Sequence, residues 1–143
     1  MKLRLADLHP GLVVETPGIV VTEAHLVAFA GLSGDFFELH TDDDFARSHG
    51  FRGRVAHGLL GLALVDGLKN RATARIDAIA SLEWTWHFAA PIYPGDRIHA
   101  RMEVIEVRAT SKPGRGIVRL AIEALNQHGE RVQHGANVLL VNA

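Results

Sequence analysis

Cysteine is absent from the 143-residue chain. Its absence excludes a disulfide framework, a thiolate zinc site and a thiol nucleophile, and it fits a reducing cytoplasm. Long apolar runs are missing too. The longest aliphatic stretch, GLLGLALV at Gly58–Val65, falls far short of the about 20 residues that a bilayer-spanning helix needs. The opening MKLRLADLHPG carries two cations with no apolar segment behind them, so the chain is expected to be soluble, cytoplasmic and untargeted, with no membrane partner. Neither sign of charge dominates, with 15 Lys and Arg against 16 Asp and Glu. No block of like charge and no basic-aromatic interleaving marks a nucleic-acid face. The nine histidines, at 9, 25, 40, 49, 57, 87, 99, 128 and 134, show no close ligand spacing. A metal site would have to be assembled in three dimensions, and no metal is expected.

Repeats and low-complexity linkers are also lacking, which predicts one domain over residues 1–143. A domain of this size buries about 68–70% of its unfolded surface, enough for a core without staples. VVETPGIVVT (Val13–Thr22) reads as two short extended pieces around a Pro17-Gly18 turn. Thr22 is an N-cap candidate for a helix running to about Gly31, and TDDDFARSHGF starts another helical turn. AHGLLGLALVDGLKNR is apolar almost all round from Leu59 to Val65, the mark of a buried helix, and Gly58, Gly61 and Gly67 would let it lie close to other backbone.

The second half changes period. SLEWTWHF alternates strictly, with Leu82, Trp84, Trp86 and Phe88 on the face expected to pack in the core. RIHARMEVIEVRA alternates as well, but its apolar phase shifts between Val104 and Ile105, which predicts a bulge. GIVRLAIEAL and RVQHGANVLLV follow as further strands joined at His128-Gly129. An α+β domain, with a curved antiparallel sheet around one buried helix, satisfies all of these segments.

SGDFFELH (Ser33–His40) carries the chemistry-bearing residues. Asp35 and His40 are five apart, which on a regular helix would separate them by about 140°. Only a loop lets both face one small molecule, where a carboxylate and an imidazole can act as a general acid/base pair. The competing reading makes Asp35 a cap for FFELH and His40 a surface side chain. Downstream, RVAHGLL places Gly58 at the start of the buried helix. There the free N–H groups and the helix dipole favour developing negative charge, although such a glycine can also be a packing device.

FAGLSGDFFELHTDDDFA (Phe29–Ala46) and FRGRVAHGLLGLALVDGL (Phe51–Leu68), with a looser match at APIYPGDRIHARMEVIEVR (Ala90–Arg108), resemble the MaoC-like, or R-specific, enoyl-CoA hydratase family. The resemblance implies a hot-dog fold. It also implies addition of water to a trans-2-enoyl-CoA, or the reverse dehydration of an (R)-3-hydroxyacyl-CoA. Asp35 and His40 would hold the water, their acid and base roles left open, and the Gly58 N–H would polarise the thioester carbonyl. Ser33, Phe37, Val55, Ala56, His57 and Leu59 would contact substrate. Coenzyme A enters only as part of the substrate, no other cofactor is called for, and a homodimer or higher homo-oligomer is expected.

Where relatives commonly read GDxNPxH, this chain has Phe37 and Glu38 in place of Asn and Pro. Phe37 either lines the acyl pocket or anchors the loop, Phe36 is expected in the core, and Glu38 toward solvent. Asp66 either partners His40 from the helix or faces solvent at the helix end. Arg47, Arg52, Arg54, Lys69, Arg71 and Arg75 are candidates for a rim that meets the coenzyme A phosphates. A hot-dog thioesterase and a non-catalytic acyl-thioester binding module are the competing functions.

Overall fold

In the computed structural model, which describes residues 1–143, the chain opens with β1 (Lys2–Leu3) and continues through β2 (Val13–Glu15) and β3 (Ile19–Val20), the two extended pieces on either side of Pro17-Gly18. Three helices follow: α1 (Glu23–Ser33), α2 (Glu38–Thr41) and α3 (Asp43–Ser48). Thr22 caps α1, with its Oγ1 accepting from the His25 N–H and its own N–H donating to His25 Nδ1 at 2.9 Å. This reciprocal pairing satisfies two donors at a helix start. The helix runs through Gly31, two residues past the expected end, and stops at Ser33 because Gly34 takes a left-handed conformation, φ 77°.

The long helix α4 (Gly58–Lys69) precedes the strands β4 (Arg75–Ile76), β5 (Ala78–Phe88), β6 (Arg97–Ala109), β7 (Arg115–Leu125) and β8 (Arg131–Asn142). The main sheet is antiparallel in the order β2-β6-β7-β8-β5, with β3 also paired to β6, while β1 and β4 form a small parallel pair. Alternation builds the inner face: Ile98, Ala100, Met102 and Val104 of β6, and Val118, Leu120, Ile122 and Ala124 of β7, are all buried. The register shifts between Val104 and Glu106, which leaves Ile105 as the expected bulge, 47% exposed, and returns Val107 to the core side.

The central helix packs on this face through Leu60, Gly61, Val65 and Leu68. Gly61 is required there, because a Cβ would collide with the Gln133 side chain of β8. Gly67 has open space around it and is no packing device. The helix is not buried all round: Leu59 is 61% exposed, and Ala63 and Gly67 continue the open stripe at four-residue spacing.

β5 departs from its expected packing in the same direction. Trp84 and Trp86 pack against the core, but a bulge between Ser81 and Glu83 breaks the alternation, and Leu82 and Phe88 remain 54% and 56% exposed. The sequence period reports which side of a strand is apolar and carries no information about how much of that side this chain covers. Phe36, expected in the core, is 60% exposed.

Beneath β8, fully buried Asn137 accepts from Lys69 Nζ at 2.5 Å and donates to Ser81 Oγ and the Glu83 carbonyl. Burial pushes the Lys69 ammonium below its ordinary pKa, an effect opposed by the adjacent Asp66 carboxylate. Asp66 pairs with Lys69 at 3.0 Å and half faces solvent, so the structure favours the helix-end reading over a partnership with His40. Leu68, 1% exposed, anchors the same end of α4. Leu68→Ala is expected to cost about 2–5 kcal/mol of unfolding free energy, measured by urea denaturation followed by circular dichroism.

Candidate active site

The end of α1 sets up the first candidate side chain. Ser33 Oγ donates to the Phe29 carbonyl at 2.7 Å and accepts from the Asp35 N–H at 3.1 Å, so the chain turns sharply after the helix. Asp35 Oδ1 accepts from the Phe37 N–H, the local capping contact weighed from the sequence. Asp35 Oδ2 nevertheless points toward His40 Nε2, 3.9 Å away. His40 is not in a loop but on the single-turn helix α2, and the break at residues 34–37 lets it share a face with Asp35.

His40 is held from behind. Its Nδ1 lies 2.7 Å from the Val55 carbonyl, while the Val55 N–H donates to the Leu39 carbonyl. A carbonyl can only accept, so Nδ1 carries the proton, and a neutral His40 presents the Nε2 lone pair toward Asp35. The ring lies on His57, with centroids 3.9 Å apart and planes 23° apart. His57 Nε2 donates to the Asp35 carbonyl at 2.9 Å, and its Nδ1 is buried without a partner. One residue therefore fixes the Asp35 main chain and the His40 ring together.

Val55 and Ala56 lead into the helix, the latter donating its N–H to the Ile92 carbonyl at 2.7 Å. His57 is the N-cap residue of α4 but makes no side-chain cap, which leaves the Gly58 N–H at the positive end of the helix. Gly58 has no room for a side chain, because a Cβ would come within 2.7 Å of the Phe88 ring.

These elements enclose an open cavity of about 670 Å³. Asp35, His40 and Gly58 line it, as do Ser33, Val55, Ala56, His57 and Leu59. Phe37 does not line it; its ring meets His40 and Phe45 edge-on, with centroids 5.8 and 5.6 Å away, and so buttresses the imidazole. The other walls, from Phe51, Phe88, Gln133 and the Ala89–Ile92 segment, were not singled out from the sequence. Phe88 and Gln133 are brought in by strand pairing, for which a local sequence pattern has no signature.

Donor atoms of Asp35, His40 and His57 lie within 4.8 Å of one another. Tetrahedral ligation at about 2.1 Å draws donors to about 3.4 Å, and stacked rings aim their lone pairs side by side rather than at one point. The cluster suits proton handling better than ion binding.

The candidate cations are largely committed. Arg54 pairs with Glu23 and with Asp43, Arg47 with Asp44, and the Arg52 guanidinium lies over the Tyr93 ring. Lys69 sits at the far end of α4, and Arg75 is in β4. The Arg54 N–H and guanidinium hold the Asp43 carboxyl below the usual carboxylate range.

Comparison with known proteins bears on the family and the fold. The profile of the MaoC like domain covers residues 7–124. An (R)-specific enoyl-CoA hydratase from Aeromonas caviae is 35% identical over 85 residues, 59% of this chain and 63% of that protein. The crystal structure of a MaoC-like dehydratase from Rhodospirillum rubrum superposes with TM-score 0.84 at 29% identity, covering 98% of this chain and 97% of that one. A Mycobacterium tuberculosis protein described as a double hot-dog fold superposes with TM-score 0.84 at 25% identity, over 99% of this chain but 44% of the other. The chain spans between 5% and 66% of the length of the curated relatives it matches. The sheet wrapped on α4 is the hot-dog fold, and the chain belongs to the MaoC-like domain family of hydratases and dehydratases.

Proposed function

We propose that the protein adds water to a trans-2-enoyl thioester of coenzyme A, giving the (R)-3-hydroxyacyl product, or catalyses the reverse dehydration. The observation that carries this reading is the meeting, in one cavity, of the Asp35–His40 pair with the first peptide N–H of α4 at Gly58. Asp35 as a carboxylate and His40 through Nε2 both accept hydrogen bonds, so a water between them can donate one proton to each. One of the two takes a water proton as the oxygen attacks Cβ, and a proton returned to Cα completes the addition. Negative charge that develops on the thioester oxygen meets the Gly58 N–H, strengthened by the helix dipole.

The name of the Aeromonas caviae relative supports an enoyl-CoA substrate and the R configuration. Arg47 and Arg52, near cavity residue Phe51 in sequence, would meet coenzyme A phosphates by exchanging Asp44 and the Tyr93 ring for them. Two copies would join through β5, an 11-residue edge strand with Ile79, Leu82 and Phe88 exposed, beside the open Leu59 stripe of α4. A long apolar edge of this kind calls for cover, and the double hot-dog relative shows that two such units occur in one chain.

With crotonyl-CoA, the purified protein is expected to consume the enoyl absorbance without releasing free thiol. Thiol release would instead indicate a thioesterase, and inactivity across a panel of enoyl thioesters a binding module. Asp35→Asn and His40→Gln should each lower kcat by at least about 10²-fold while the far-UV spectrum is kept; near-full activity in either would remove that residue from the proposed pair. Gly58→Ala should cost about 10²-fold by displacing the helix start from Phe88. Sedimentation equilibrium is expected to give the mass of two chains, and Leu82→Asp to shift it toward one.

A further inference from the structure

Open space along α4 is interrupted by side chains. Gln133 is polar yet 2% exposed, and both ends of its amide are engaged. Nε2 donates to the Gly58 carbonyl at 3.1 Å, and Oε1 accepts from Trp86 Nε1 at 2.9 Å. An indole N–H only donates and a carbonyl only accepts, so the amide has one orientation that satisfies both. Gly61 leaves the gap into which this amide fits. Trp86 is backed in turn by Trp84, ring centroids 5.5 Å apart and perpendicular, and Trp84 lies under the Lys69 ammonium.

The consequence is a partition. Gln133 lines the catalytic cavity, while a separate cavity of about 230 Å³ lies at the other end of the helix, lined by Asp66, Lys69 and Leu139 among others. A chain of contacts, Gln133 to Trp86, Trp86 to Trp84 and Trp84 to Lys69, runs from a lining residue of the one cavity to a lining residue of the other. No Lys or Arg lines the catalytic cavity, so a carboxylate on the far end of an acyl group would lose its hydration there without a cation to replace it.

We propose that Gln133, held by Trp86, is the end wall of the acyl pocket and restricts the protein to short, uncharged acyl chains. This rests on the acyl-thioester reading of the site. The wall is also tied to the carbonyl of Gly58, the residue whose N–H faces the thioester in that reading. A chain long enough to displace the amide breaks its bond to the Gly58 carbonyl and disturbs the residue whose N–H polarises the substrate. Discrimination would therefore reach kcat as well as KM.

Saturated butyryl-, octanoyl- and succinyl-CoA test the wall by calorimetry without turnover. The wild-type protein should bind butyryl-CoA, with octanoyl- and succinyl-CoA at least about tenfold weaker. Gln133→Ala and Trp86→Leu should each shift the octanoyl-to-butyryl affinity ratio by about tenfold toward octanoyl. Trp86→Leu leaves the bond from Gln133 to Gly58 available, so it carries the test if Gln133→Ala fails to fold, and the wild-type panel decides even if both fail. Equal wild-type affinity for butyryl- and octanoyl-CoA, an unchanged ratio in folded variants, or no binding of any acyl-CoA overturns the proposal. Length discrimination by a protein that hydrates no enoyl-CoA would sink the hydratase reading alone.

Discussion

The site depends on how closely α4 approaches β5 and β8. Gly58 and Gly61 take positions where a methyl group would strike Phe88 and Gln133, so the helix start lies against the sheet at a distance that larger residues forbid. Glycine within a helix costs about 1 kcal/mol relative to alanine. The return is placement: the unbonded end of the helix faces a cavity instead of a layer of its own side chains.

Around that helix start, the chain is pinned by contacts between rings and main chain. His40 is tied to the Val55 carbonyl, His57 to the Asp35 carbonyl, and the two rings are stacked. One bond joins α2, and the other the α1–α2 turn, to the segment entering α4. These contacts tie the Asp35–His40 pair and the helix terminus to one another. Phe37, standing where relatives commonly have asparagine, adds edge contacts to His40 and Phe45 in place of local hydrogen bonding.

Much of this was legible in the sequence because the signals are local. The Thr22 cap lies within four consecutive residues, and the phase change at Ile105 is visible as a break in alternation. Asp35, His40 and Gly58 were picked out by the resemblance of their motifs to one family, since spacing alone left a cap, a surface histidine and a packing glycine open; the structure brings the three to one cavity, with His40 on a helical turn. Other features were hidden for physical reasons. The exposure of Phe36, Leu59 and Leu82 depends on what covers them, which hydrophobicity does not encode. Gln133 and Trp86 are 47 positions apart and meet only because β5 pairs with β8.

Arg54 has a role that its position beside the cavity alone would not suggest. Its guanidinium reaches Glu23 at the start of α1 and Asp43 at the start of α3, and its N–H also holds Asp43. The two helices that bracket the SGDFFELH turn are thus strutted to the irregular segment that feeds α4. Because the Asp43 carboxyl is held below its ordinary range, chiefly by that backbone N–H, the strut contributes in full above the ordinary carboxylate pKa and is lost only as pH falls through the lowered one. Mild acid that begins to neutralise unpaired surface aspartates leaves the Asp43–Arg54 link charged, and α3 keeps its anchorage.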